Sequence, residues 1–146
     1  MIDFKTYEEV KLEDVAEFGR AKADMIYPAG TSTLQISASR GQVGFLSEEG
    51  CIASKDVAII PQAGINPKYF NVVLKKNVEA FMSKYATGIN IQEHEIGNFP
   101  IQVHNQETQH AVVLMIKRID DEEQNVNDTI NAYQKMKQTF LSQMMV

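Results

Sequence analysis

The sequence predicts an α+β fold: a small antiparallel or mixed β-sheet module with short helices, followed by a long C-terminal coiled-coil helix. Three observations carry this. Between Leu34 and Ser39, apolar Leu34, Ile36 and Ala38 alternate with polar Gln35, Ser37 and Ser39, the period-two signature of a half-buried strand. Between Asn66 and Gly88 the apolar period changes to that of a helix. From about Gln106 to Met145 there is neither Gly nor Pro, and apolar residues recur at steps of four and three.

Taken in order, Val10, Leu12, Val15, Ala16 and Phe18 follow a roughly helical pattern. A short helix is expected over Leu12–Gly19, with Gly19 suited to its C-terminal end. Pro28 and Gly30 then punctuate the chain. The strand at Leu34 is followed by a turn at "SRGQ", a return strand "VGFL", a second turn "SEEG" and a further strand "CIASKDVAIIP" ending at Pro61. This describes an antiparallel meander of at least three strands. Asn66 is a good N-cap for the next helix, and Pro67 stands at its first position, where a missing N–H costs nothing. Tyr69, Phe70, Val73, Leu74, Val78, Phe81 and Tyr85 form its apolar stripe, and Gly88 stops it. "INIQEHEIGNFPIQVHN" reads as an irregular or extended connector.

In the last helix Val112, Ile116, Ile119, Val126, Ile130, Tyr133, Phe140 and Met144 lie on one heptad seam, with Glu123 and Lys137 at two further seam positions. Nearly forty residues at 1.5 Å each make a rod of roughly 60 Å. A module of about a hundred residues cannot cover the far half of such a rod. The seam therefore calls for a partner helix, from a second copy or from another protein. The boundary falls near Asn105, giving a module over 1–105 and a dimerisation or docking helix over 106–146.

Composition narrows the function. The chain of 146 residues is about one domain's worth, and its hydrophobic fraction of 44% suffices for one core. No apolar run approaches the roughly 18–20 residues needed to cross a bilayer. The acidic, mixed start is unlike a signal peptide, and the single cysteine, Cys51, has no intrachain partner, so a cytoplasmic, reduced setting is expected. Net charge is −5, which by itself opposes nucleic-acid binding. Its distribution tempers that: residues 18–86 carry +3 between ends of −4 each.

Constellations for catalysis are missing. Of His94, His104 and His110, the first two have no cysteine or carboxylate at ligand spacing on an expected helix, and "HEIGN" is not HExxH. Cys51, beside Ile52 on an expected strand, reads as a buried structural thiol. Glu48–Glu49 and Asp120–Glu123 read as solvated acid runs. "SASRGQVG" lacks the spacing of a nucleotide loop. No metal or cofactor is expected.

What remains is a concentration of hydrogen-bonding side chains: Arg20, Lys22, Gln35, Ser37, Ser39, Arg40, Gln42 and Lys55, then Thr87, Gly88 and Asn90. Gln, Arg and Asn bond base edges bidentately, while Ser, Thr, Lys and backbone N–H groups suit phosphates. On composition alone, alternate polar residues facing water explain the same pattern.

The series "GFLSEEGCIASKDVAIIP", "GINPKYFNVVL" and "FMSKYATGINIQEHEIGNFPIQV" resembles the target recognition domain of the specificity (S) subunit of type I restriction–modification systems. The tail, ending "YQKMKQTFLSQMMV", is similar to the helical conserved region that follows such a domain. The resemblance covers residues 10–146. It implies a non-catalytic chain that reads double-stranded DNA and holds methyltransferase (modification) subunits, and through them the restriction subunit. S-adenosylmethionine would belong to the methyltransferase partner alone. A full S subunit has two recognition domains and two long helices paired antiparallel; this chain has one of each, so it resembles a half subunit with a short module. Two copies pairing through residues 106–146 would rebuild a two-fold arrangement suited to a split, palindromic site. Arg40 would be the leading base or phosphate contact. Lys55 and Thr87 match positions of the family pattern and would contact phosphates. The alternative is a protein-interaction or regulatory fragment that binds modification or specificity subunits without reading DNA.

Overall fold

The first strand of the protein is one that periodicity hides. In a computed structural model, which describes residues 1–36, 41–85 and 92–145, Glu8–Lys11 is a strand, β1. It pairs antiparallel with β6, Pro100–Val103, with Glu8 opposite Val103 and Lys11 opposite Pro100. The fold is α+β, with sheets of two and four strands, short helices and one long helix. The chain divides into two units, Met1–Ala111 and Val112–Val146.

The helix expected over Leu12–Gly19 shrinks to one turn, α1, Leu12–Val15. At Ala16 the backbone is already extended (φ −151°, ψ 155°), and β2 runs Ala16–Arg20. A single turn fixes several dihedrals for one hydrogen bond, so it cannot compete with a full ladder. That ladder is offered by β5, Asp56–Pro61, which pairs with every residue of β2. Gly19 is thus a strand residue opposite Ala58, not a helix terminator.

β3, Ser32–Gln35, and β4, Val43–Phe45, form the expected hairpin, with Leu34 opposite Val43. The meander does not continue. The sheet order is β2-β5-β3-β4, so β5 sits beside β3 and leaves β4 at the edge. The expected strand from Cys51 also starts later, at Asp56, because the chain turns at Ala53, whose carbonyl accepts the Asp56 N–H at 3.0 Å. Residues before that turn lie across one face of the sheet instead. Tyr27 and Gly50 exchange two backbone hydrogen bonds, and Ala21, Tyr27, Ile52 and Ala58 form a small buried cluster with Leu46 and Ile60 against it. Cys51, expected to be buried, is exposed. It flanks the cluster that Ile52 fills.

The other face of the sheet is covered by α2, Pro67–Tyr85. Asn66 caps it as expected: its Oδ1 accepts the N–H groups of Lys68 (3.0 Å) and Tyr69 (3.3 Å). Tyr69, Phe70, Val73, Leu74 and Phe81 are buried, joined by Met82 and by Asn71. The Asn71 amide donates to Ser32 Oγ (3.1 Å) and the Gly44 carbonyl (2.9 Å), tying α2 to the β3–β4 hairpin. Buried Leu34, Val57 and Ile59 stand on that side, in keeping with the period-two alternation of their strands.

The expected connector contains a 3-10 helix, Glu93–Asn98, which sets buried Ile96 and Phe99 into the core before β6. Phe99 stacks on Phe81 with centroids 4.6 Å apart. Tyr69 fastens β6 to α2. Its hydroxyl bonds the Gln102 carbonyl, lies 2.6 Å from His104 Nδ1 and accepts the His104 N–H at 3.3 Å. Burial pushes the Tyr69 hydroxyl above its ordinary pKa, partly offset by the His104 N–H. Tyr69→Phe is expected to lower the unfolding free energy by about 1–3 kcal/mol, since it leaves the half-buried Gln102 carbonyl and His104 unmatched. Urea denaturation of the two proteins measures this, and equal midpoints would show the knot to be dispensable.

α3 runs Gln106–Met144. Its first turn is anchored in the first unit: Gln109 Oε1 accepts the Asn66 N–H (3.0 Å) and its amide donates to the His104 carbonyl (2.8 Å). In the second unit every residue from Leu114 to Met145 is exposed.

Candidate nucleic-acid interface

β2 and β3 both end, and β5 and β4 both begin, at one end of the four-stranded sheet. The register makes this explicit. Arg20 is opposite Val57, Gln35 is opposite Asp56, and the Gln35 N–H donates to the Gln42 carbonyl at 2.9 Å. Beyond that row, Ala21 N–H donates to the Asp56 carbonyl (3.0 Å), placing Lys22 and Lys55 one step further out on adjacent strands. Five of the sequence candidates, Arg20, Lys22, Gln35, Gln42 and Lys55, therefore gather on one rim although they span thirty-five positions of chain. Four strands at about 4.8 Å spacing make that rim roughly 14 Å wide.

Two side chains hold the backbone of the rim. The Arg20 N–H donates to Glu93 Oε1 (2.9 Å), and the Lys22 N–H donates to the Tyr27 hydroxyl (3.0 Å). Both backbones are held while both side chains remain exposed, as does that of Lys55. Gln35 is half-buried and Gln42 exposed. By strand alternation Gln35, Gln42 and Asp56 share one face of the sheet. Gly41, next to Gln42, has φ +56°, and a Cβ there would lie 2.7 Å from Met82 Cγ. The last turns of α2 thus close against the same end of the sheet, and only glycine fits between them.

Ser37, Ser39, Arg40, Thr87 and Asn90 lie outside the described residues, as do Ala38 and Gly88. Sequence reasoning missed the acids of this rim. Asp56 follows Lys55, Asp24 lies in the turn closed by the Met25 N–H on the Lys22 carbonyl (3.1 Å), and Glu93 binds Arg20's backbone. Asp56 was visible beside Lys55; Glu93 reaches Arg20 only through tertiary folding. Among the described residues the rim is therefore balanced, three cationic side chains against three carboxylates. Bulk charge does not set this rim apart.

His94 and His110 are exposed, and no group of three or more His, Cys, Asp or Glu side chains able to hold a metal occurs among the described residues. No helix among them is long and apolar enough to cross a membrane. The eight seam residues of α3 lie in the second unit: Val112 is half-buried, and Ile116, Ile119, Val126, Ile130, Tyr133, Phe140 and Met144 are exposed.

No protein-family model matches the chain, and no curated protein sequence matches it. Solved structures do. The fold is that of the S subunit of type I restriction–modification systems. The S subunit from M. genitalium superimposes with a TM-score of 0.68 at 12% identity, over 92% of this chain and 45% of that one. The HsdS subunit from Thermoanaerobacter tengcongensis gives 0.59 at 12% identity, over 84% and 39%. A chain from a structure of complex assembly and conformational transition in a type I R-M system gives 0.63 at 13% identity, over 80% and 38%. The chain thus spans less than half the length of each structure it matches.

Proposed function

We propose that this protein is a non-catalytic specificity subunit of half length, which reads double-stranded DNA with the rim of its four-stranded sheet. It pairs with a second copy through α3 and docks methyltransferase subunits, which in turn hold the restriction subunit. S-adenosylmethionine belongs to the methyltransferase partner. The observation that carries this reading is the likeness to S-subunit folds over 92% of the chain. The convergence of Arg20, Lys22, Gln35, Gln42 and Lys55 on one rim supports it.

In this reading Arg40 contacts a base edge or phosphate and Lys55, with Thr87, sets the register on phosphates. Ser37, Ser39 and Asn90 complete the contact set. Arg40→Ala is expected to weaken the selected sequence by about 1–3 kcal/mol relative to random duplex, whereas Lys55→Ala weakens both alike and lowers the salt slope by about 1. Gel retardation of enriched and random duplexes, with a methyltransferase subunit added, measures both. Unchanged selectivity in Arg40→Ala would refute the reading surface.

The charge balance of the rim favours a second reading, a fragment that binds modification or specificity subunits and regulates them without touching DNA. Tight protein association with no selectivity between duplexes, with or without the methyltransferase subunit, would decide for it.

A further inference from the structure

The seam of α3 contains two residues that do not belong in an apolar seam. Counting by heptads, Ile116, Glu123, Ile130, Lys137 and Met144 share one core position, and Val112, Ile119, Val126, Tyr133 and Phe140 share the other. Glu123 and Lys137 therefore stand seven residues on either side of Ile130. Both are exposed, and neither forms an ion pair within the chain among the described residues. Polar residues at core positions cost stability and commonly fix register and partner.

The geometry points to Glu123 and Lys137 as the residues that select the partner of α3: a second copy of this chain, laid antiparallel. This rests on the dimer reading above, with the antiparallel pairing that the S-subunit resemblance implies, and adds the residues that enforce it. In an antiparallel pair each core residue of one kind meets one of the other kind. Full overlap of the seam then sets Val112 against the partner's Met144 and Ile116 against the partner's Phe140. Ile119 meets the partner's Lys137, Glu123 meets the partner's Tyr133, and Val126 meets the partner's Ile130. Glu123 lies one layer, about 6 Å along the axis, from the partner's Lys137, within reach of both long side chains. The two-fold axis makes that ion pair twice. A parallel, in-register pair does the reverse. It sets Glu123 against the partner's Glu123 and Lys137 against the partner's Lys137, with like charges held in the seam. The sequence of α3 is complementary to itself only when reversed.

The test uses the full chain and its variants Glu123→Lys, Lys137→Glu and the double exchange, in sedimentation equilibrium at low salt, with helix content followed by circular dichroism. Each single variant is expected to raise the dimer Kd roughly 10–100-fold, because like charges then meet twice. The double variant is expected to return to within about threefold of the unsubstituted chain. The unsubstituted chain and the double variant should form no mixed dimer, since Glu then meets Glu across the pair. A double variant no tighter than the singles overturns the proposal, and so does a mixed dimer formed in preference to either parent, which is the parallel result. If the unsubstituted chain dimerises but is indifferent to every charge change, this inference fails and the dimer stands. If it stays monomeric at high micromolar concentration, or if α3 pairs only with an added methyltransferase subunit, both fail.

Discussion

Phe99→Ala is expected to lower the unfolding free energy of the first unit by about 3–5 kcal/mol, a large part of the ~5–15 kcal/mol that holds a domain of this size. The Phe99 side chain is fully buried, and its ring stacks on Phe81 at 4.6 Å with the planes tilted by 41°. Its main chain is committed as well. The N–H donates to the Ile96 carbonyl (3.0 Å), closing the 3-10 helix, and the carbonyl accepts the Leu12 N–H (2.9 Å), which starts α1. Because the backbone is pinned at both groups, the site cannot collapse to fill the space that the ring leaves. Residual cavity is what makes such truncations costly. Urea unfolding followed by near-ultraviolet circular dichroism measures the change, and a loss under about 1 kcal/mol would show that Phe99 is not central to the core.

Ile130→Asp is expected to abolish the proposed pairing of the intact chain through α3, with the dissociation constant raised about a thousandfold or more. Ile130 is 47% exposed in the single chain and stands midway between the two charged seam positions. In a paired helix its side chain would be enclosed, and each dimer of the variant would then enclose two carboxylates with no cation opposite. Removing charges from water without partners costs several kcal/mol each. Size-exclusion chromatography with light scattering, at concentrations from low to high micromolar, reads the result directly. An Ile130→Asp variant that still elutes as a dimer would place the contact surface elsewhere on the chain.

Both helices of substantial length were legible in the sequence, because a 3.6-residue apolar period with caps is a local property. Asn66, Pro67 and the stripe from Tyr69 to Phe81 are in place as expected. Sheet order was not legible. β5 comes after β4 in the chain but inserts between β2 and β3, and nothing in "CIASKDVAIIP" marks which edge it will meet. The helix expected through Gly19 failed for the same reason: Ala16–Arg20 takes its conformation from β5, about forty residues away. The candidate rim was half legible. Residue type picked out Arg20, Lys22, Gln35, Gln42 and Lys55, and only the register showed that they meet. Glu93, whose carboxylate holds the Arg20 backbone, carries no local mark at all.

The pairing of Glu8 with Val103 brings the two ends of the sheet module side by side, one entering and one leaving at the same strand pair. Such a neck closes everything between it into a single loop of chain with adjacent ends. Residues 12–99 enter and leave through that neck, so a replacement insert needs ends at a similar separation and a donor for Gln109, the place that Asn66 fills here. Exchange at two points of the chain would then replace the interior of the module in one step, with Gln109 and Gln102 as the contacts to be matched.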